Sequence, residues 1–140
     1  MTLYEIVTHL QEIAKQQPNI NYVGEGDIYT LNSKPNIDYG VFFITQTNHA
    51  QYENTIEYNL TLFYVDRLMT DESNRLKIQS EGIMMLGNII NIFNQKYPDV
   101  EIEYSVNHTT FLQKFADSCA GVFANVKIIA DNNIGVCGYE

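Results

Sequence analysis

Positive charge is scarce in this chain. Only 8 of its 140 residues are Lys or Arg, against 17 Asp or Glu, for a formal net charge of −9. The basic residues are spread from Lys15 to Lys127, and only Arg75 and Lys77 stand close together. Gripping a phosphate backbone needs clustered Lys and Arg that release counterions, so nucleic-acid binding as a main role is excluded. Cysteine is also rare: Cys119 and Cys137 are the only two. That number fits a reducing compartment and indicates no disulfide framework. The three histidines, His9, His49 and His108, are scattered, so no closed zinc site is expected, nor any other metal or cofactor. No apolar run approaches the roughly 20 residues of a membrane helix. The opening MTLYEIVTHLQEIAKQQ carries charges inside its apolar pattern, unlike a secretory leader. Linkers, repeats and low-complexity tracts are absent too.

What is present suits one domain with a real core. Apolar residues make up 45% and charged residues 18%, below the usual quarter or so, so Asn, Gln, Thr and Ser must supply much of the polar surface. Leu3, Ile6, Val7, Leu10, Ile13 and Ala14 recur at helical spacing, with Thr2 and Glu5 placed for a capping box and Pro18 as the stop. Gly24 and Gly26 predict a turn, and Asp27 to Leu31 a short strand. A phosphate cradle at this GEG pair is rejected, because no Lys-Ser/Thr follows and no helix begins there. Asp38 to Gln46 is rich in β-formers, Thr47 to Asn54 is a polar connector, and Thr55 to Asp66 alternates as a long strand. Ile56, Tyr58, Leu60, Leu62 and Tyr64 share one face of that strand; Phe63 and Val65 break the polar face near its end, predicting burial on both sides there. Together these form a hairpin.

A long helix is expected from about Asp71 to Gln95. Its seam is Leu76, Ile83, Leu86, Ile90 and Phe93, widened by Ile78, Met85, Ile89 and Ile92, with Gly82 and Gly87 allowing close approach to a sheet and Pro98 ending it. Val100, Ile102, Tyr104 and Val106 alternate as another strand. Asn107 to Ser118 fits a helical turn or a strand and loop equally well. Ala120 to Ala130 reads as the last strand, so residues 1–130 form the domain and 131–140 an extended tail. The fold class is α+β: a mainly antiparallel sheet carrying an N-terminal helix and one long central helix.

No catalytic constellation emerges, and no enzyme is expected. Asp66 lies at a strand end, Asp71 and Glu72 at a helix start, where an acid offsets the helix dipole. Asp66, Arg67, Asp71 and Asn74 are therefore assigned to turn and cap roles. Glu101 and Glu103 share a strand face, the pattern of a solvated surface. Ser118-Cys119-Ala120-Gly121 lacks the glycine that precedes the nucleophile in an elbow. The tail places Cys137 between glycines, where exposure is its only claim to reactivity.

Four segments resemble one family. GDIYTLNS (26–33), Tyr39 to Ile44, YVDRLMTDESNRLKIQSEG (64–82) and FADSCAGVFANVKI (115–128), with a late cysteine at Cys137, are similar to the tail-terminator and tail-completion proteins of tailed bacteriophages. The proline common in the second segment is absent here, with Gly40 near its place. Related rings stack in the necks of short-tailed particles, crAss-like phages included. The resemblance implies a non-enzymatic virion protein made in the host cytoplasm. It would form a ring with copies of itself, bind neighbouring neck, portal or tail proteins, and let DNA pass as cargo. The exposed connector and tail are the natural arms for reaching neighbours: Thr47, Asn48, His49, Gln51, Tyr52 and Asn54, with Asn132, Asn133, Ile134, Val136 and Tyr139. A small ligand-binding or toxin–immunity type interaction domain is the competing expectation.

Overall fold

A computed structural model describes residues 1–28, 38–103, 105–114 and 118–132. Helix α1 (Leu3–Lys15) begins at a complete capping box: Thr2 Oγ1 accepts from the Glu5 amide at 3.2 Å, and Glu5 Oε1 accepts from the Thr2 amide at 3.3 Å. Such a cap is worth about 1 kcal/mol. Its buried stripe is Ile6, Leu10, Ile13 and Ala14, as the spacing predicts.

Strands β1 (Tyr22–Glu25), β2 (Val41–Gln46), β3 (Ala50–Gln51), β4 (Thr55–Arg67), β5 (Glu101–Ile102), β6 (His108–Lys114) and β7 (Ser118–Asp131) form one sheet. The strand order is β1-β2-β4-β7-β5, with β3 alongside β4 and β6 alongside β7. Every pairing is antiparallel except β1 with β2. Helix α2 (Arg75–Lys96) crosses β4 and β7, while α1 lies over β1 and β2 and touches α2. The architecture is the expected α+β domain with both helices on the sheet.

The inner sheet face is built from two registered rows. Ile56, Tyr58, Leu60, Leu62 and Tyr64 of β4 stand opposite Ala130, Ile128, Val126, Ala124 and Val122 of β7. All ten are buried, small residues on β7 making room for the helix above. A second cluster of Ile28, Val41, Phe43, Val65 and Cys119 lies apart from this core, with Phe63 and Phe111 against it. It occupies the outer face, so the β4 end is apolar on both sides as its sequence implies. Phe63, Phe111 and Phe123 meet there with ring centroids 5.7–6.2 Å apart.

Three expectations need correction. Gly24 lies within strand β1, Tyr22–Glu25, rather than in a turn, while most of the strand expected at Asp27 to Leu31 lies outside the described residues. Only Gly26, at φ 130°, takes a turn conformation that favours glycine. Among its described residues, the strand expected through Val106 pairs only at Glu101–Ile102, and Tyr104 lies outside the described residues. Helix α2 starts at Arg75, not Asp71, and its buried face is Ile78, Gln79, Gly82, Met85, Leu86, Ile89, Ile90 and Phe93. Leu76 and Ile83, placed in the seam by sequence, are 71% and 43% exposed. The face is rotated because Gly82 sits at its centre, where a hydrophobicity pattern has no mark. Finally, the ambiguous stretch 107–118 resolves largely into β6, hairpinned onto β7.

The two helix glycines differ in role. A Cβ on Gly82 would lie 2.8 Å from Val122 Cγ2 and 3.0 Å from Tyr64 Cδ2, whereas one on Gly87 meets nothing within 4 Å. Gly82→Ala should therefore cost about 1–3 kcal/mol through overpacking. Gly87→Ala should gain about 0.5–1 kcal/mol from helix propensity. Urea unfolding midpoints of opposite sign check this; two changes of the same sign would refute the close contact at Gly82.

Candidate functional site

Strand β4 leaves the sheet at Arg67, and α2 begins eight residues later, at Arg75. The turn between them is tied by its own polar side chains. Asn74 Oδ1 accepts from the Met69 amide at 2.9 Å, and Asn74 Nδ2 donates to the Arg67 carbonyl at 3.2 Å. Asp66 Oδ1 accepts from the Arg67 amide at 2.8 Å. Asp71 Oδ1 accepts from the Ser73 amide at 3.1 Å, and the Ser73 hydroxyl and amide hold the Asp71 carboxyl below its ordinary range. Asn74 occupies the N-cap position but makes no side-chain bond to the helix. Asp71 and Asn74 lie in the turn as expected, while Asp66 and Arg67 are the last residues of β4, Asp66 paired with Ala120; the cap role is not met, since Asn74 reaches backward into the turn and Asp71 precedes the helix by four residues. Asn74→Ala removes both bonds and should cost about 1–2 kcal/mol. Asn74→Asp keeps the acceptor for Met69 and should fall between Ala and the native residue in thermal unfolding; equal stability of all three would refute the clamp.

Beside this turn lies an open depression of about 440 Å³ lined by Asn21, Asp38, Tyr39 and Arg67. The Arg67 guanidinium sits 4.9 Å from the Tyr39 ring centroid, a cation–π contact. Asn21 Nδ2 donates to the Tyr39 carbonyl at 2.5 Å. Tyr64, near the end of β4, is buried in the main core. Burial first, and the Asp66 charge second, push its hydroxyl far above the ordinary value, so it stays protonated at any physiological pH. Among its described lining residues, no nucleophile–base pair occurs.

The 47–54 connector is less free than its sequence implies. The Thr47 amide and hydroxyl both donate to the Asn59 carbonyl, at 3.0 and 2.9 Å. Asn59 Nδ2 donates to the Asn48 carbonyl, and the Asn59 amide donates to His49 Nδ1. The His49 ring meets Tyr58 edge-on, and Gln51 pairs with Ile56 through β3. These residues are exposed at their tips but folded onto β4. Asn132 extends the fastening: its amide donates to the Asn54 carbonyl at 3.0 Å and its Nδ2 to the Tyr52 carbonyl at 2.8 Å. Strand β7 also runs through Asp131, paired with Thr55, one residue into the segment read as tail. Asn133, Ile134, Val136 and Tyr139 lie outside the described residues, as does Cys137.

A second depression, about 320 Å³, separates α2 from the β5–β6 region and includes Gly87, Ile90, Ile102, Val106 and His108 in its lining. His108 Nδ1 is buried there with no hydrogen-bond partner, and burial pushes the imidazole pKa below its ordinary value. Sequence reasoning missed this groove because its two walls belong to elements whose faces were misplaced or ambiguous.

Among the described residues, no three His, Cys, Asp or Glu side chains gather as a metal site. No helix among the described residues is long and apolar enough to cross a membrane. No protein-family model matches the chain, and no curated protein matches it.

Proposed function

We propose that this chain is a non-enzymatic structural protein of a tailed bacteriophage that forms a ring in the neck or at the end of the tail. It joins portal-side to tail-side components around the DNA channel. The observation that carries the reading is the Tyr64–Gly82 segment. It resembles the tail-terminator family most fully, and its polar side chains brace a strand–turn–helix corner. Such a corner serves as a frame. The element order and the net charge of −9 agree with a ring whose lumen passes DNA without gripping it.

Native mass spectrometry with negative-stain imaging tests the proposal, on the chain alone and mixed with the portal-side and tail-side proteins of its particle. Closed rings of one stoichiometry are expected. A chain that stays monomeric in both settings overturns it. A specific observation favours one rival: the Asn21–Asp38–Tyr39–Arg67 depression fits a small polar ligand. A thermal-shift response to such a ligand, abolished by Arg67→Ala, combined with a persistent monomer, would establish a ligand-binding domain instead.

A further inference from the structure

Gly87 is a glycine that the fold does not require. It sits in the middle of α2, where glycine weakens a helix relative to alanine. Gly82 has its reason in Val122 and Tyr64, but a Cβ at Gly87 meets nothing within 4 Å. Backbone conformation does not call for it either, since among the described glycines only Gly26 has a positive φ. Gly87 opens instead onto the groove of about 320 Å³ between α2 and the β5–β6 region.

The two walls of this groove are built differently. Gly87, Ile90, Asn91 and Asn94 fall at i, i+3, i+4 and i+7, so one face of α2 makes the first wall. The second is held against β7: Ile102 pairs with Ile128, the Glu103 amide donates to the Lys127 carbonyl at 3.0 Å, and His108 pairs with Ala124. Ile90 is buried and Ile102 and Val106 are half-buried, whereas Asn91, Asn94 and Glu103 are exposed. An apolar floor thus lies under a polar rim. The polar group at depth is His108. Its Nδ1 is shut off from water and has no hydrogen-bond partner, a costly state for a buried ring nitrogen. Burial also favours the neutral imidazole, in which one ring nitrogen is an acceptor. A donor entering the groove relieves it, the ring turning about χ2, whose wells are broad.

These features select the ligand. The described lining residues include no Lys or Arg and one acid, Glu103, on a chain of net charge −9, so an anion is disfavoured. The volume stands at the low end of ligand pockets, which run from about 300 to 1,000 Å³, and suits one or two rings. Bare helix backbone at Gly87 admits the flat face of a ring at contact distances of about 3.5–4 Å.

We propose that the groove between α2 and the β5–β6 region binds a small, uncharged, planar nitrogen heterocycle, its flat face over Gly87 and its ring N–H donating to His108 Nδ1. The site is separate from the depression beside Arg67. It does not rest on the ring reading, and a monomer and a ring should bind alike.

Benzimidazole at neutral pH tests this on the full chain. Saturation-transfer NMR reads the ligand, so the oligomeric state of the protein does not matter. Saturable binding to the wild type is expected. Gly87→Leu fills the groove and should bind at least tenfold more weakly while melting no lower than the wild type. His108→Phe keeps a ring but removes the acceptor and should also lose at least tenfold. 1-Methylbenzimidazole lacks the N–H and should bind the wild type at least tenfold more weakly than benzimidazole does. Benzoate, a planar anion, should not bind. Should Gly87→Leu unfold by circular dichroism, Val106→Trp fills the groove from the facing wall and takes its place. No saturable benzimidazole signal, equal affinity in the wild type and the filled variant, indifference to the N-methyl group, or benzoate binding as tightly as benzimidazole each overturns the proposal.

Discussion

Gly121→Ala is expected to destabilise the fold by about 3 kcal/mol or more, at the upper end of overpacking costs. Gly121 stands opposite Val65 in the β4–β7 ladder. A Cβ there would fall onto the Tyr64 carbonyl oxygen and 2.9 Å from the Phe111 ring. A side chain can rotate away from a new methyl group; a carbonyl in the central strand cannot move without disturbing the ladder on both sides. The relief must come from parting β4 and β7, the longest pairing in the sheet, while Phe111 shifts on β6. Urea unfolding followed by circular dichroism measures the effect, with Gly87→Ala as the control that should not lose stability. A loss below about 1 kcal/mol would falsify the close approach of these strands.

Leu86→Ala and Leu76→Ala should differ by several kilocalories although both residues fit the seam drawn from sequence. Leu86 is fully buried in the main core and Leu76 is 71% exposed. Truncating the first removes transfer energy and leaves a cavity, for a cost of about 2–5 kcal/mol. Truncating the second should stay within about 0.5 kcal/mol. Both are measured by urea unfolding followed by circular dichroism. Equal losses would restore the seam read from sequence and undo the rotated face.

Legibility in this chain follows the range of the interaction that decides each feature. Helix α1 was readable because its cap and stripe are local: Thr2, Glu5, Ile6, Leu10 and Ile13 act within neighbouring turns. Strand β4 was readable because alternation over 13 residues leaves little choice of face. Helix α2 was found but rotated. Its apolar residues spread almost around the cylinder, so the pattern alone selects no face. Gly82, which contributes nothing to hydrophobicity, marks where Val122 and Tyr64 come nearest. β6 was ambiguous because its Thr109, Thr110 and Leu112 are exposed, so no burial period appears in HTTFLQK.

Among the site residues, Asp71 and Asn74 lie in the turn expected from sequence, since short polar side chains bonding nearby backbone are a local matter, whereas Asp66 and Arg67 still belong to β4. The sequence did not reveal that Asn74 reaches back to Arg67 and Met69, or that Thr47, Asn48 and His49 are fastened by Asn59 across the hairpin. By itself, then, the sequence determined an acidic α+β domain, its two helices, its long strand and a polar corner between strand and helix, because periodicity and capping act over a few residues. Only the tertiary structure decided which face of α2 is buried and in which order the described strands pair. Those depend on contacts between residues far apart in the chain, where Gly82 must meet Val122 and Gly121 must meet Tyr64 before any face or edge is defined.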